Sequence, residues 1–128
     1  MKTSYFAKLK QIKYPVSIAA KAPVWYTALG KPEYKKLAPT YSILNAYKNG
    51  GVEKGDTELY TRRFNNEVLS KLDILNVLFD LNEFYGSDGV ALDELTLLCY
   101  EKPGDFCHRH LVADWIRKQG YNCEEVVY

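Results

Sequence analysis

The chain has no apolar run long enough to span a bilayer, no C-x-x-C pair, and no arginine before Arg62. The first absence argues against a membrane protein. The second argues against the commonest zinc and redox motifs. The third, with a pI near 7.6, argues against extended duplex nucleic acid as a partner. Residues 1–13 are punctuated by lysines and lack the apolar core and small-residue cleavage site of a signal peptide. Three cysteines are an odd number and form no spaced framework, so a reduced, cytoplasmic setting is expected.

With 128 residues, 47% of them hydrophobic and 26% charged, residues 1–128 have the profile of a single globular domain that needs no disulfide staples. Acidic residues are scarce in the first half. Residues 1–50 hold nine lysines and one acid, Glu33, whereas residues 51–128 hold eight basic and fifteen acidic side chains. The net charge of +1 therefore hides halves of +8 and −7. Either the halves neutralise each other across the fold, or the basic half holds an anionic ligand.

Tyr14–Ala20 is a short apolar run with β-branched residues and reads as the first strand, buried on both faces. A loop from Lys21 to Pro39 follows, with three prolines and one glycine. Thr40 can cap a helix to Lys48, and Asp56 or Thr57 can open a second, striped by Tyr60, Phe64, Val68 and Leu72. Asp73 can cap a third helix with Leu75, Leu78, Phe79 and Leu81 on its apolar wall, or the second helix runs straight through it. Leu95–Tyr100 reads as a strand, Phe106–Gln119 as a helix and Asn122–Val127 as a last strand. If that strand lies beside Leu95–Tyr100, the intervening helix makes a right-handed crossover. This order implies a small three-layer α/β domain with a short, mostly parallel sheet flanked by helices.

The chemistry gathers where Leu95–Tyr100 gives way to the next helix, the usual place for a ligand site in an α/β protein. Pro103-Gly104 makes the turn, and Asp105 is the expected N-cap. Cys107 then falls in the first helical turn, where the helix dipole and Arg109 favour a thiolate; the alternative is an inert buried cysteine. Helical spacing turns His108 toward the sheet with Val112 and Trp115, and His110 toward solvent. A buried His108 needs a partner, either Glu101, which would make an acid–base pair, or a strand carbonyl. Arg109 can hold a phosphate beside the free N–H groups of the helix start, or it forms a salt bridge with Glu101 or Asp105. Cys99, Cys107, His108 and His110 do not match common zinc spacings, and no metal is expected. The Cys99-to-Arg109 interval is also longer than the cysteine-to-arginine phosphate cradle of phosphatases and rhodaneses. If Tyr14–Ala20 and Leu95–Tyr100 are parallel neighbours, Lys21, Trp25 and Tyr26 open on the same edge. Trp25 or Tyr26 could then stack on a flat ring, with Lys21, Lys35 and Lys36 near its phosphates; otherwise both aromatics cover the core.

Cys99-Tyr-Glu-Lys-Pro-Gly-Asp-Phe-Cys-His-Arg109 resembles the signature of the bacterial and phage family called domain of unknown function 488. That signature is a hydrophobic strand ending in Cys-x-Glu, then Cys-His-Arg opening a helix. Cys99, Glu101, Cys107, His108 and Arg109 match it. Many members carry a Gly-His-Ser type turn after their first strand, where this chain has Ser17-Ile-Ala-Ala-Lys-Ala-Pro23. The resemblance implies an α/β fold and a common pocket.

Three classes of function follow. The first is an enzyme that binds a phosphate-bearing small molecule, such as a nucleotide. In it Cys107 is the nucleophile, Glu101 and His108 form the acid–base pair, and Arg109, Lys21, Trp25, Tyr26 and Cys99 contact the ligand. The second is a binding module using the same pocket without a reactive thiol. The third is an interaction protein in which the motif only locks strand to helix. No cofactor is identifiable from the residues.

Overall fold

Four strands, β1 (Lys2–Tyr5), β2 (Pro15–Ser17), β3 (Thr96–Cys99) and β4 (Glu124–Glu125), form the sheet in the computed structural model, which describes residues 1–126. Their order is β2-β3-β1-β4, and every neighbouring pair is parallel. Five helices surround them: α1 (Val24–Ala28), α2 (Tyr41–Asn49), α3 (Thr57–Glu67), α4 (Ile74–Glu83) and α5 (His108–Lys118). The fold is α/β, as the order of sequence signals implies. None of the described helices is long and apolar enough to cross a membrane.

A parallel sheet is stable only with both faces covered, and alternation along β3 serves both. Leu97 joins the main core with Val16, Phe64, Leu81, Val112 and Ile116, so α3, α4 and α5 cover that face. Leu98 faces the other way and meets Phe6, Ile12, Ala19 and Tyr26, a thinner layer built by α1 and the 3-10 turn Phe6–Gln11. Val16 pairs with Leu97, and Thr3 with the same residue from the other side.

Three helix starts follow their capping residues. The side chains of Thr40, Asp56 and Asp73 accept hydrogen bonds from the backbone N–H groups of Ile43, Leu59 and Asn76, at 3.2, 2.9 and 3.3 Å. Asp73 therefore starts a separate helix rather than lying inside a longer one.

Several expectations need correction. The run at Tyr14–Ala20 supplies β2, which is second in the chain and at the sheet edge; β1 precedes it and went unread. β1 also separates β3 from β4, so the last strand pairs with Lys2 and Thr3, not with Leu95–Tyr100. Val127, the end of that expected strand, lies outside the described residues. The Lys21–Pro39 stretch contains α1 and a 3-10 turn at Lys35–Leu37. On α4 the buried wall is Val77, Leu78 and Leu81, while Leu75 and Phe79 are exposed. Asp105 does not cap α5. Its N–H closes a turn onto Lys102 C=O at 3.1 Å, and the chain runs on two residues before Cys107 takes the N-cap position.

Phe64 is fully buried, and Phe79 is two-thirds exposed. Phe64→Ala is expected to cost about 3–5 kcal/mol in urea denaturation. Phe79→Ser is expected to change stability by no more than about 0.5 kcal/mol. Equal effects would mean that α4 and α3 are packed otherwise.

Candidate functional site

Because β2 and β3 are parallel neighbours, the segments leaving their C-terminal ends emerge on one edge of the sheet. Ala19, Ala20 and Lys21 leave β2; Tyr100 and Glu101 leave β3. Between them and the helices lies a cleft of 410 Å³. Cys99, Cys107 and His108 form its floor, and Tyr47, Tyr60 and Phe106 form an aromatic wall. Lys21, Lys48 and Glu101 are exposed and line the same cleft.

The floor is built from the end of β3 and the start of α5. Cys99 and Cys107 are buried and their sulfur atoms are paired as a disulfide. The expectation of unpaired thiols is corrected at this point: a sulfur bonded to sulfur is not a nucleophile, so Cys107 lacks that chemistry until the bond is reduced. Cys123 is a free cysteine, buried.

His108 is buried, and its Nε2 lies 2.6 Å from Ile18 C=O, just beyond β2. A carbonyl only accepts, so Nε2 carries the hydrogen and Nδ1 keeps its lone pair. Nδ1 faces Cys107 Sγ at 3.9 Å. Burial, reinforced by the Arg109 and His110 charges and opposed by the Ile18 bond, pushes the imidazole pKa down to about 4. The ring is neutral at physiological pH. Of the two partners the sequence offers His108, the structure selects the carbonyl; Glu101 is exposed at the cleft mouth.

Arg109 is 0% exposed and turns away from the cleft. Its Nε and Nη2 donate to the Glu125 carboxylate, with Nη2 to Oε2 at 2.7 Å and Nε to Oε1 at 3.0 Å. Nη1 donates to Glu101 C=O and to Cys99 Sγ, the latter at 3.4 Å. Burial opposes ionisation of Glu125, but the Arg109 bonds and a 2.6 Å bond from the Thr3 hydroxyl outweigh it and hold the carboxyl below its ordinary range. Every side-chain group of Arg109 that could hold a phosphate is thus turned inward. The expected salt bridge to Glu101 or Asp105 is replaced by one to Glu125.

Trp25 and Tyr26 do not reach the cleft. Tyr26 is fully buried in the thinner layer, its hydroxyl donating to Pro32 C=O at 2.7 Å, and both aromatics pack edge-on against Phe6. Tyr26 covers the core, as the second of the two readings has it, whereas Trp25 is half exposed and only touches Phe6 by its edge. Lys36 pairs with Asp80 at 3.3 Å, and Lys35 lies outside the cleft. The aromatic wall went unread, although Leu44, Tyr47 and Lys48 share one face of α2 by their spacing. Phe106 joins it because the delayed start of α5 lets its ring reach Tyr47 and Tyr60, with centroids at 5.6 and 5.0 Å.

Residues 14–120 match the family described as the "Active DUF488-N3 subclade" (DUF488-N3a), and the chain belongs to that family. The match contains the whole Cys99–Arg109 motif. Comparison with curated proteins and with solved structures returns no match.

The Arg109–Glu125 pair generates a stability prediction. Removing Arg109 leaves the partly buried Glu125 carboxylate without its cation, so Arg109→Met is expected to destabilise the fold, by less than the ~3–5 kcal/mol of a fully buried pair. Glu125 has a lowered pKa in the folded chain, so its contribution is complete above the unfolded value and is lost as pH falls through the folded one. Urea denaturation across acidic pH checks this. Wild type should show the carboxylate-linked loss and Glu125→Gln should lack it; matching slopes would rule out the pairing.

Proposed function

We propose that this member of the DUF488 family binds a small, flat, phosphate-bearing molecule of nucleotide size in the cleft at the β2–β3 edge. The observation that carries the reading is the cleft's lining: three aromatic rings on one wall and two lysines, over a floor made by the family motif. Its 410 Å³ falls within the range of small-molecule sites, about 300–1,000 Å³. Tyr47, Tyr60 and Phe106 offer faces and edges for a planar ring. Lys21 and Lys48 supply the positive charge that the inward-facing Arg109 does not.

Lys21 thus keeps the role its sequence position implies, and the ring-binding role passes from Trp25 and Tyr26 to the α2–α3 wall. A preformed aromatic cleft favours a ligand-binding protein over one in which the motif merely locks strand to helix. The description of the family as an active subclade accords with a working cleft. Should the cleft carry a reaction, Cys107 in its reduced form is the candidate nucleophile, and Glu101 at the mouth is the candidate proton carrier. His108 is less suited to that work, since burial pushes its pKa down to about 4, although its Nδ1 lone pair faces Cys107. An intracellular, reducing location belongs to the same proposal.

The test is calorimetric titration of the reduced chain with adenosine, adenosine 5′-monophosphate and inorganic phosphate. The monophosphate is expected to bind best. Lys21→Ala with Lys48→Ala should weaken it by about tenfold or more, the equivalent of about 1.4 kcal/mol, with adenosine unaffected. Tyr47→Ala should weaken both adenosine compounds. Absence of binding by all three probes, or binding indifferent to the lysines, overturns the reading.

A further inference from the structure

Cys99, Cys107 and His108 present three buried ligand atoms within 4.8 Å of one another, two sulfurs and one imidazole nitrogen. They come from two places in the fold: Cys99 from the end of β3, and the consecutive Cys107 and His108 from the start of α5. The spacing therefore resembles no common zinc motif, and the sequence alone set a metal aside. We propose that in the reduced protein these three side chains bind one Zn²⁺ ion, whose fourth position opens on the cleft. The proposal concerns the cleft floor and does not depend on the identity of the ligand above it.

Four observations carry it. The first is the His108 tautomer. Nε2–H donates to Ile18 C=O at 2.6 Å, which fixes the ring and leaves the Nδ1 lone pair facing the sulfurs. Metal-bound histidines are held in this manner, the far nitrogen donating to a carbonyl or carboxylate. The second is the Cα–Cα separation of Cys99 and Cys107, 7.3 Å. Disulfides usually span about 4.4–6.8 Å, and an ion between the two sulfurs suits the wider spacing. The third is the Arg109 Nη1 donor, 3.4 Å from Cys99 Sγ, a fixed positive charge that favours the thiolate a metal requires. The fourth is charge balance. Two thiolates and a neutral imidazole cancel the charge of Zn²⁺, so the ion adds no net charge to a buried floor.

A dithiol reductant attacks the Cys99–Cys107 bond; the S–S bond breaks, two thiols form on the protein, and the reductant leaves as its own disulfide. Zn²⁺ then displaces the two thiol protons to solvent and accepts the His108 Nδ1 lone pair. Two sulfurs and one nitrogen leave a tetrahedral ion one ligand short, the arrangement of a catalytic rather than a structural zinc site. Ala19, Ala20 and the aromatic wall border the open side. Water or an anionic group of a bound molecule would complete the shell.

The experiment uses the whole chain, reduced with a phosphine and stripped with a chelator, then titrated with Co²⁺ as a spectroscopic stand-in for Zn²⁺. The expected result is one Co²⁺ per chain, thiolate-to-cobalt charge-transfer bands and the d–d bands of four-coordinate cobalt, all abolished by added Zn²⁺. Azide should shift the d–d bands by entering the open position. Cys99→Ser, Cys107→Ser and His108→Asn should each weaken binding by about 100-fold or more, as judged from the loss of a direct ligand against the 10–100-fold of a supporting group. Cys123→Ala should bind as wild type does. Native mass spectrometry of the wild-type chain with Zn²⁺, before and after reduction, needs no variant to fold; the ion should appear only after reduction. Absence of uptake by the reduced wild type, or uptake unchanged in both Cys99→Ser and Cys107→Ser, overturns the proposal. Bands indifferent to azide overturn the open position.

Discussion

A guanidinium that cannot lose its charge is sealed inside this domain, and much of the architecture around the site follows from satisfying it. Arg109 is held by Glu125 on β4, by the carbonyl of Glu101 after β3, and by the sulfur of Cys99 at the end of β3. Its guanidinium also lies 5.9 Å from the centre of the Tyr5 ring on β1. A buried charge with partners missing would cost several kcal/mol, so these groups must come together or the start of α5 cannot settle where it does. The pair is a constraint on geometry more than a source of net stability. It closes the sheet edge at β4, whose two described residues pair with Lys2 and Thr3.

The same constraint separates two kinds of positive charge. Arginine suits the interior position because its planar fork meets a carboxylate, a carbonyl and a sulfur at once. Lysine suits the rim, where a flexible, strongly hydrated ammonium keeps its contact with water. The lysine-rich first half of the chain supplies Lys21 and Lys48 to the cleft, while the acid-rich second half supplies Glu125 to the core and Glu101 to the mouth. Charge asymmetry along the sequence thus has two outcomes in the fold. It partly neutralises itself, as where Lys36 meets Asp80, and it leaves lysines beside an aromatic wall.

What the sequence disclosed, and what it hid, divides along physical lines. Local signals were legible: Thr40, Asp56 and Asp73 cap helices because a short polar side chain can reach an N–H three residues on without help from the rest of the fold. The strand at β3 was legible because its residues are buried on both sides and apolar. β1 was not, since Lys-Thr-Ser-Tyr has little of the apolar character of an inner strand, although Thr3 and Ser4 are both fully buried. Periodicity identified α4 but turned its buried face, including exposed Leu75 and Phe79 and omitting buried Val77, for in an apolar helix spacing alone does not show which side meets the neighbour. The motif's members were identified without their partners. Glu125 lies sixteen residues beyond Arg109, on a strand whose neighbour is the first strand of the chain. β1 and β4 also lie outside the stretch matched by the family.

The order Cys-His-Arg has a reason once these partners are placed. Consecutive residues within a helix point about 100° apart, given about 3.6 residues per turn, so His108 and Arg109 diverge, and Cys107, with the extended backbone of an N-cap, points in a third direction. Cys107 meets Cys99 on β3, His108 reaches Ile18 beyond β2, and Arg109 reaches Glu125 on β4. Since the sheet runs β2-β3-β1-β4, one helix start grips a middle strand and both edges. Exchanging His108 and Arg109 would send a fixed charge toward Ile18, whose carbonyl cannot neutralise it, and a neutral ring toward a carboxylate that needs a cation. Moving Cys107 by one position would take its sulfur off Cys99. The motif therefore specifies direction as well as composition. That is why its structural member, Arg109, and its cleft members, Cys107 and His108, occupy adjacent positions yet do different work.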